Sequence, residues 1–320
     1  MVGIAYMKTG FGYSKFIIFF LATRPKFLVA SAAPVLVGSA LGYVAAGAFQ
    51  MDLFVLALLA IVAIQAGANI TNDYFDHISG NDWVNENPTP FSGGRRYIQN
   101  HILSPRTTLR AGLLWLGIGS ALGAVIVLLT QSVFILCLGL AGLLGGFFYT
   151  ARPIQLGYRC VGEFVIGLLF GLLPVYGAYY LQSGSIDALP FLPALIVSIL
   201  IFLVILVNEF PDVWADAAVN KRTLIVLFGV SAGVWIYRIA LMASYVVAAA
   251  MLLYRSMFVA GLLYMFTLPI AILAMRSVNK NDLVKPGQYR ASQITVLLHT
   301  IGSLALAVGF IGFGLLFSTG

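Results

Sequence analysis

Nine stretches of this chain are apolar over about the length that crosses a hydrocarbon core, roughly 20 residues: 27–47, 52–72, 108–129, 132–150, 161–182, 189–210, 230–253, 257–275 and 294–317. Backbone that enters lipid must satisfy its own N–H and C=O groups, and runs of this length do so as α-helices. The expected fold is therefore all-α and polytopic, with about nine transmembrane helices around a central cavity. At 61% hydrophobic and 9% charged residues, with a mean hydropathy of +0.98, the chain lies outside the range of soluble globular domains.

The net charge of +7 follows topology, so nucleic acid is not expected as a partner. One set of segments holds Lys8, Lys15, Arg24, Lys26, Arg95, Arg96, Arg106, Arg110, Arg152, Arg159, Lys221, Arg222, Arg276, Lys280, Lys285 and Arg290. The opposite set holds Arg255, and Arg238 falls in the first turns of the seventh run. Such a bias places the N-terminus and the basic segments in the cytoplasm of a plasma-membrane protein. No cleavable signal peptide is expected, because the first apolar run lacks a small-residue cleavage pattern. Cys137 and Cys160 have no metal or redox spacing.

Two acidic motifs interrupt this apolar sequence. The first is Asn69-Ile-Thr-Asn72-Asp73-Tyr-Phe-Asp76, and the second is Asn208-Glu209-Phe-Pro-Asp212-Val-Trp-Ala-Asp216. At about 100° per residue, Gln65, Asn69, Asn72, Asp73 and Asp76 share one helix face, and Asn208, Asp212 and Asp216 form a second stripe. Carboxylates at membrane depth cost a few kcal/mol each, and a cation relieves that cost. Hard oxygen ligands favour Mg²⁺, which is commonly shared with substrate phosphates. The metal candidates are Asp73, Asp76, Asp212 and Asp216.

Each motif is followed by a basic segment. The segments near 77–107 and 212–229 are expected to form a cytoplasmic cap over the cavity, within one integral domain spanning 1–320. The first contains Asn81-Asp82, Asn85-Glu86-Asn87-Pro88 and Ser92-Gly93-Gly94-Arg95-Arg96, and the second contains Asn220-Lys221-Arg222-Thr223. Arg95, Arg96, Arg152 and Lys221 can neutralise phosphate oxygens, and Gly93-Gly94 lets backbone amides approach an anion. A diphosphate whose other end lies in hydrocarbon is most simply a polyprenyl diphosphate. Metal and cations then stabilise the departing diphosphate. Tyr74, Phe75, Phe147, Phe148 and Tyr149 are candidates to line the path of the allylic cation that remains.

These residues resemble the UbiA superfamily of intramembrane prenyltransferases, most closely its menaquinone-type members. The matching segments are Thr23-Arg24-Pro25-Lys26, Asn69 to Asp76, Phe148-Tyr149-Thr150, Leu156-Gly157-Tyr158 with Gly162-Glu163, Phe170-Gly171-Leu172 to Tyr179-Tyr180-Leu181-Gln182, and Lys221-Arg222-Thr223-Leu224. The resemblance implies Mg²⁺-dependent transfer of a polyprenyl group to an aromatic quinone precursor, 1,4-dihydroxy-2-naphthoate, releasing diphosphate in menaquinone biosynthesis. It implies a metal and diphosphate site of Asn69, Asp73, Asp76, Asn208, Asp212 and Asp216, with Arg96 and Lys221 as diphosphate contacts. It sets Tyr149 and Arg152 near the isoprenoid cation and diphosphate. The second motif departs from the family pattern at Glu209 and Pro211, where many menaquinone-type members carry Asn-Asn-x-Arg-Asp; Thr150-Ala151-Arg152-Pro153 replaces a more glycine-rich run.

Simpler roles stand beside these. Arg24 and Lys26 serve either as membrane-surface anchors or as substrate contacts, and Arg95 and Arg96 either set topology or bind diphosphate. Glu163 is either a buried hydrogen-bond partner or a substrate-site residue. Asn72 joins the substrate-binding set, Gln65 supports Asn69 one turn away, and His77 reads as a loop residue. 4-Hydroxybenzoate and an ether-lipid glycerol phosphate are the alternative acceptors. The alternative of another class is a cation-coupled membrane transporter, since intramembrane acids also mark ion pathways.

Overall fold

The structure is a computed structural model that describes residues 14–317; Lys8 lies outside the described residues. A short helix α1 (Lys15–Ala22), capped by the Ser14 side chain, leads into α2 (Pro25–Ala46), with Pro25 at its first position. Pro fits there because the first helical N–H has no intrahelical acceptor. The helix α3 (Met51–Ser79) has 29 residues, about 43 Å at 1.5 Å per residue. That exceeds a hydrocarbon core, so its last turns carry the first motif beyond the apolar run. Gly80, at φ 85°, ends it, a conformation glycine adopts without a Cβ penalty. The single turn α4 (Asn81–Val84) follows.

After the cap segment come α5 (Pro105–Thr130), α6 (Val133–Phe147), α7 (Gly162–Ser183, with a π turn at Leu168–Leu172), α8 (Phe191–Glu209), the short α9 (Val213–Ala218) and α10 (Leu224–Met251). A 3₁₀ turn at Arg255–Met257 precedes α11 (Phe258–Met265) and α12 (Leu268–Ser277), and α13 (Arg290–Phe317) closes the described chain.

Among the described residues, seven helices are long and apolar enough to cross a membrane, and the pair Arg255–Met265 and Leu268–Ser277, bent by 49°, brings the total to eight. The expectation was nine. The difference lies at α6, whose 15 residues rise about 22 Å against the ~30 Å of a hydrocarbon core. The run at 132–150 was longer because Phe148-Tyr149-Thr150, although compatible with a span, turn out of the helix. Pro269, near the start of α12, lacks the N–H that would continue α11.

The most buried span is α8, with 67% of its apolar window covered against 22% for α5. It lies among α2, α7, α10 and α13, while α3 packs on α5 and α2 on both α7 and α13. Close crossings use small residues, as membrane helices do where backbones approach. A Cβ at Gly38 of α2 would stand 2.2 Å from the Val175 carbonyl oxygen of α7, and one at Gly112 of α5 would stand 2.5 Å from Thr71 Cγ2 of α3.

Four connecting segments meet at one end of the bundle. Gly287 N–H donates to Asn87 Oδ1 at 3.1 Å, the Phe91 and Tyr289 rings lie 6.0 Å apart, and Arg222 N–H donates to the Tyr158 carbonyl at 3.3 Å. Both acidic motifs lie at this end.

Candidate functional site

The first motif is a helical face, as expected. Gln65, Asp73 and Asp76 are buried and Asn69 and Asn72 half-buried on α3. Asn69 Nδ2 donates to the Thr23 carbonyl at 2.9 Å, tying α3 to the start of α2, and Asn72 Nδ2 donates to Asp76 Oδ2 at 2.6 Å. Gln65 Oε1 accepts from the Ser31 hydroxyl, so the residue braces α2 and its amide does not reach Asn69 in any described hydrogen bond.

The second motif is not a helical stripe, which corrects that expectation. The helix α8 stops at Glu209, Asp212 stands in the turn, and Asp216 sits on α9. Pro211 is the cause: it cannot donate to the ladder and its ring opposes the preceding turn. The break turns Asp212 and Asp216 toward the first cap segment. Asn85 Nδ2 donates to Asp212 Oδ1 at 2.8 Å, and Asn81 Nδ2 donates to Asp216 Oδ1 at 2.7 Å. Lys221 Nζ donates to the same Asp216 oxygen at 3.1 Å, and Asp216 is 0% exposed.

Arg24, in a left-handed turn at φ 55° between α1 and α2, forms an ion pair with Asp73. The side chains of Arg24, Asn69, Asn72, Asp76, Tyr149, Asn208, Asp212 and Lys221 line one cavity of about 170 Å³, together with Gln65, Asn81 and Glu209. Its cap side includes Phe91 and Ser92-Gly93-Gly94, and its deep side is apolar, formed by Ala30, Ala68, Ile166, Phe170, Ile201, Val204 and Ile205. A polar mouth over an apolar floor suits an amphipathic ligand.

The remaining sequence candidates stand off the cavity wall. Arg152 is exposed and lies at a cis Arg152–Pro153 bond. Arg96 uses Nη1 to donate to the Asn85 carbonyl at 2.7 Å, which buttresses the cap, and Arg95 is half-buried beside it. Glu163 Oε1 accepts from the Leu224 amide at 2.6 Å, next to the Thr223 N-cap of α10. His77 Nδ1 accepts from Trp83 Nε1 at 3.1 Å.

Sequence reading missed Asn81, Asn85 and Asp82. Asp82 is buried, accepts from Gln99 Nε2 at 3.2 Å, and faces Gly94, where a Cβ would stand 3.1 Å from its Oδ2 and from Asp73 Oδ1. The Asn and Asp enrichment of 81–87 was the available signal.

Burial, followed by the charges of Asp76 and Asp73, pushes the Asp82 carboxyl up to about 8. Burial, followed by Asp216, pushes Asp212 up to about 7. Burial alone lowers the Lys221 ammonium, but Asp216 and Asp76 more than reverse that and hold it well above its ordinary value.

The donor set fits a hard divalent cation. Asp76 Oδ1, Asp82 Oδ1, Asn208 Oδ1 and Asp216 Oδ2 are buried without hydrogen-bond partners, a costly state unless a cation or its water shell completes them. Among the described residues no three His, Cys, Asp or Glu groups converge on one point. Mg²⁺ does not require that, since it keeps several waters and takes one or two carboxylates beside substrate phosphates.

Residues 31–291 match the UbiA prenyltransferase family. The chain is 31% identical over 302 residues to a 1,4-dihydroxy-2-naphthoate octaprenyltransferase of Haemophilus influenzae, covering 89% of this chain and 94% of that one. It is 27% identical over 292 residues to a 2-carboxy-1,4-naphthoquinone phytyltransferase of Synechocystis, covering 90% and 91%. Its fold superposes with a TM-score of 0.68 on a UbiA homolog from Archaeoglobus fulgidus bound to GPP and Mg²⁺, at 15% identity, covering 93% of this chain and 98% of that one.

Proposed function

This chain belongs to the UbiA prenyltransferase family, and from that premise we propose that it transfers a polyprenyl group from a polyprenyl diphosphate to 1,4-dihydroxy-2-naphthoate, releasing diphosphate in menaquinone biosynthesis. One observation carries the reading: the two acidic motifs, distant in sequence, meet with Arg24 and Lys221 at the polar mouth of a cavity whose floor is apolar. The naphthoate relatives favour that acceptor over 4-hydroxybenzoate or an ether-lipid phosphate.

The residues divide the work by charge and depth. Asp73, Asp76, Asp212 and Asp216, with Asn69, Asn72 and Asn208, would hold Mg²⁺ and the diphosphate. Bound there, Mg²⁺ supplies positive charge that offsets the negative charge growing on the leaving diphosphate. Lys221 and Arg24 add cationic donors at the same mouth, each already oriented by a carboxylate. The cap segments over the mouth shield it from water, which strengthens these interactions and protects an allylic cation from hydrolysis. The phenol of Tyr149 and the ring of Phe170 line the deeper wall, where aromatic faces stabilise positive charge.

Arg95, Arg96 and Arg152 are assigned a smaller part than the sequence implied, as cap supports and surface charge. We place the protein in the plasma membrane with the motif end cytoplasmic, in accord with the Lys and Arg bias, and read 1–320 as one domain capped by 77–107 and 212–229. The test is mass spectrometry of the product formed by purified protein with a prenyl diphosphate, Mg²⁺ and a mixture of 1,4-dihydroxy-2-naphthoate and 4-hydroxybenzoate. Prenylated naphthoate product is expected; prenylation of neither acceptor refutes the proposal.

A further inference from the structure

Glu209 is the carboxyl of the second motif that the donor site does not use. It ends α8 immediately before the Pro211 break, lines the cavity, is 5% exposed, and leaves Oε2 without a hydrogen-bond partner. A second carboxyl faces it: Glu163, from α7, spends Oε1 on the Leu224 amide and leaves Oε2 unpartnered. Tyr149 completes the cluster. Its ring lies against Gly157 and Gly162, where added Cβ atoms would stand 2.9 Å from Cε1 and 3.1 Å from Oη. Close packing at these glycines fixes where the phenol points.

The surroundings define what such a cluster can bind. Ile166, Phe170 and Ile205 make the adjoining cavity wall apolar, so the facing Glu209 and Glu163 carboxyls are the polar groups presented to a slot suited to an aromatic ring. A free oxygen of this kind recognises an O–H donor, since leaving it unpaired is costly. The cationic groups at the cavity, Arg24 and Lys221, are paired to Asp73 and Asp216, so they belong to the mouth.

We propose that Glu209 holds the acceptor substrate, accepting a hydrogen bond from a phenolic hydroxyl of the aromatic ring, with Glu163 and Tyr149 fixing its position. The proposal rests on the prenyl-transfer reading and adds to it a residue selecting hydroxylated rings. Glu209 acts here through binding and orientation. The ring is held at the apolar wall next to the diphosphate mouth, and an acceptor whose hydroxyls are blocked loses its anchor.

The experiment measures binding to the full-length protein in nanodiscs, under anaerobic conditions, by isothermal titration. The acceptor probes are 1,4-dihydroxy-2-naphthoate and its 1,4-dimethoxy counterpart, and the donor probe is geranyl diphosphate with Mg²⁺. Wild-type protein is expected to bind the dihydroxy probe roughly 10- to 100-fold more tightly than the dimethoxy one. Glu209→Leu abolishes that preference, and Glu209→Gln, which keeps a carbonyl acceptor, retains at least part of it. Donor affinity stays unchanged in both variants. An undiminished hydroxyl preference in Glu209→Leu overturns the proposal. So does loss of donor binding with the acceptor preference intact, which assigns Glu209 to the diphosphate site. Absence of Mg²⁺-dependent donor binding in the wild type refutes the prenyl-transfer reading itself, whereas donor binding without any hydroxyl preference refutes only the role of Glu209.

Discussion

Asn85 on the first cap segment donates its amide to Asp212 of the second motif at 2.8 Å, across 127 residues of sequence. With the parallel bond from Asn81 to Asp216, it makes the two caps one structure. The first cap therefore orients the acids of the second motif, which is not complete alone. A hydrogen bond to a charged group contributes about 1.5–3 kcal/mol. Asn85→Leu is expected to lower kcat/KM for prenyl transfer by roughly 10- to 100-fold. Asn81→Leu should cost more, because it leaves the fully buried Asp216 with Lys221 as its described side-chain partner. Steady-state kinetics check both, and unchanged kcat/KM in Asn85→Leu contradicts the linked-cap arrangement.

Asp73→Ala and Asp212→Ala separate a ligand site from packing. Asp212 lines the mouth from the turn after α8, and Asp73 holds Arg24 there through their ion pair. Turnover should fall by at least on the order of 10²–10³, and Mg²⁺-dependent binding of prenyl diphosphate should weaken in parallel, while the unfolding temperature of Asp212→Ala stays close to wild type. Retained turnover in both variants removes the assigned role of the acidic motifs.

The contrast between the two motifs explains what could be read from sequence. Asn69 to Asp76 kept helical periodicity with no breaker before Gly80, so the angular argument and the structure agree along α3. In the second motif the same angular argument failed at Pro211, whose missing N–H carries more weight than the spacing of the acids. The helix α6 came out short because Phe148 and Tyr149 satisfy an apolar count while turning toward the cavity end. Asn81 and Asn85 were visible as loop polarity, but their partners lie on α9 and the turn before it, and no local pattern encodes a pairing at that distance. Arg152 shows the converse: its charge is legible and its exposed position is not.

The crossing of α3 and α5 positions the first motif, and two glycines of α5 test it. At Gly112 a Cβ would meet Thr71 Cγ2 at 2.5 Å and Thr71 N at 3.0 Å, whereas at Gly117 nothing lies within 4 Å. Gly112→Leu should force the helices apart and lower stability by about 1–3 kcal/mol, the usual cost of overpacking, with a loss of activity as α3 shifts. Gly117→Ala should be neutral or stabilising by up to about 1 kcal/mol through helix propensity. Thermal unfolding of the two variants in the same detergent decides the point; equal stability contradicts this crossing.

The acids beneath the cap predict how stability depends on pH. Burial and the neighbouring Asp76 and Asp73 hold Asp82 at about 8 in the folded protein, against an ordinary 3.8. Between these values the unfolded chain has released the proton and the folded one keeps it, so the folded state binds more protons and its stability falls as pH rises. Asp212, held at about 7 by burial and Asp216, adds to the fall in the same direction. The metal-free unfolding temperature should therefore drop between pH 6 and pH 8. Asp82→Asn, which cannot ionise, should raise the unfolding temperature at pH 8 and flatten the profile. Mg²⁺ with prenyl diphosphate should flatten it as well, because positive charge at the mouth stabilises the ionised acids. A metal-free unfolding temperature that rises from pH 6 to pH 8 would show that these carboxyls are already compensated, and the cap would then owe its closure to neutral packing.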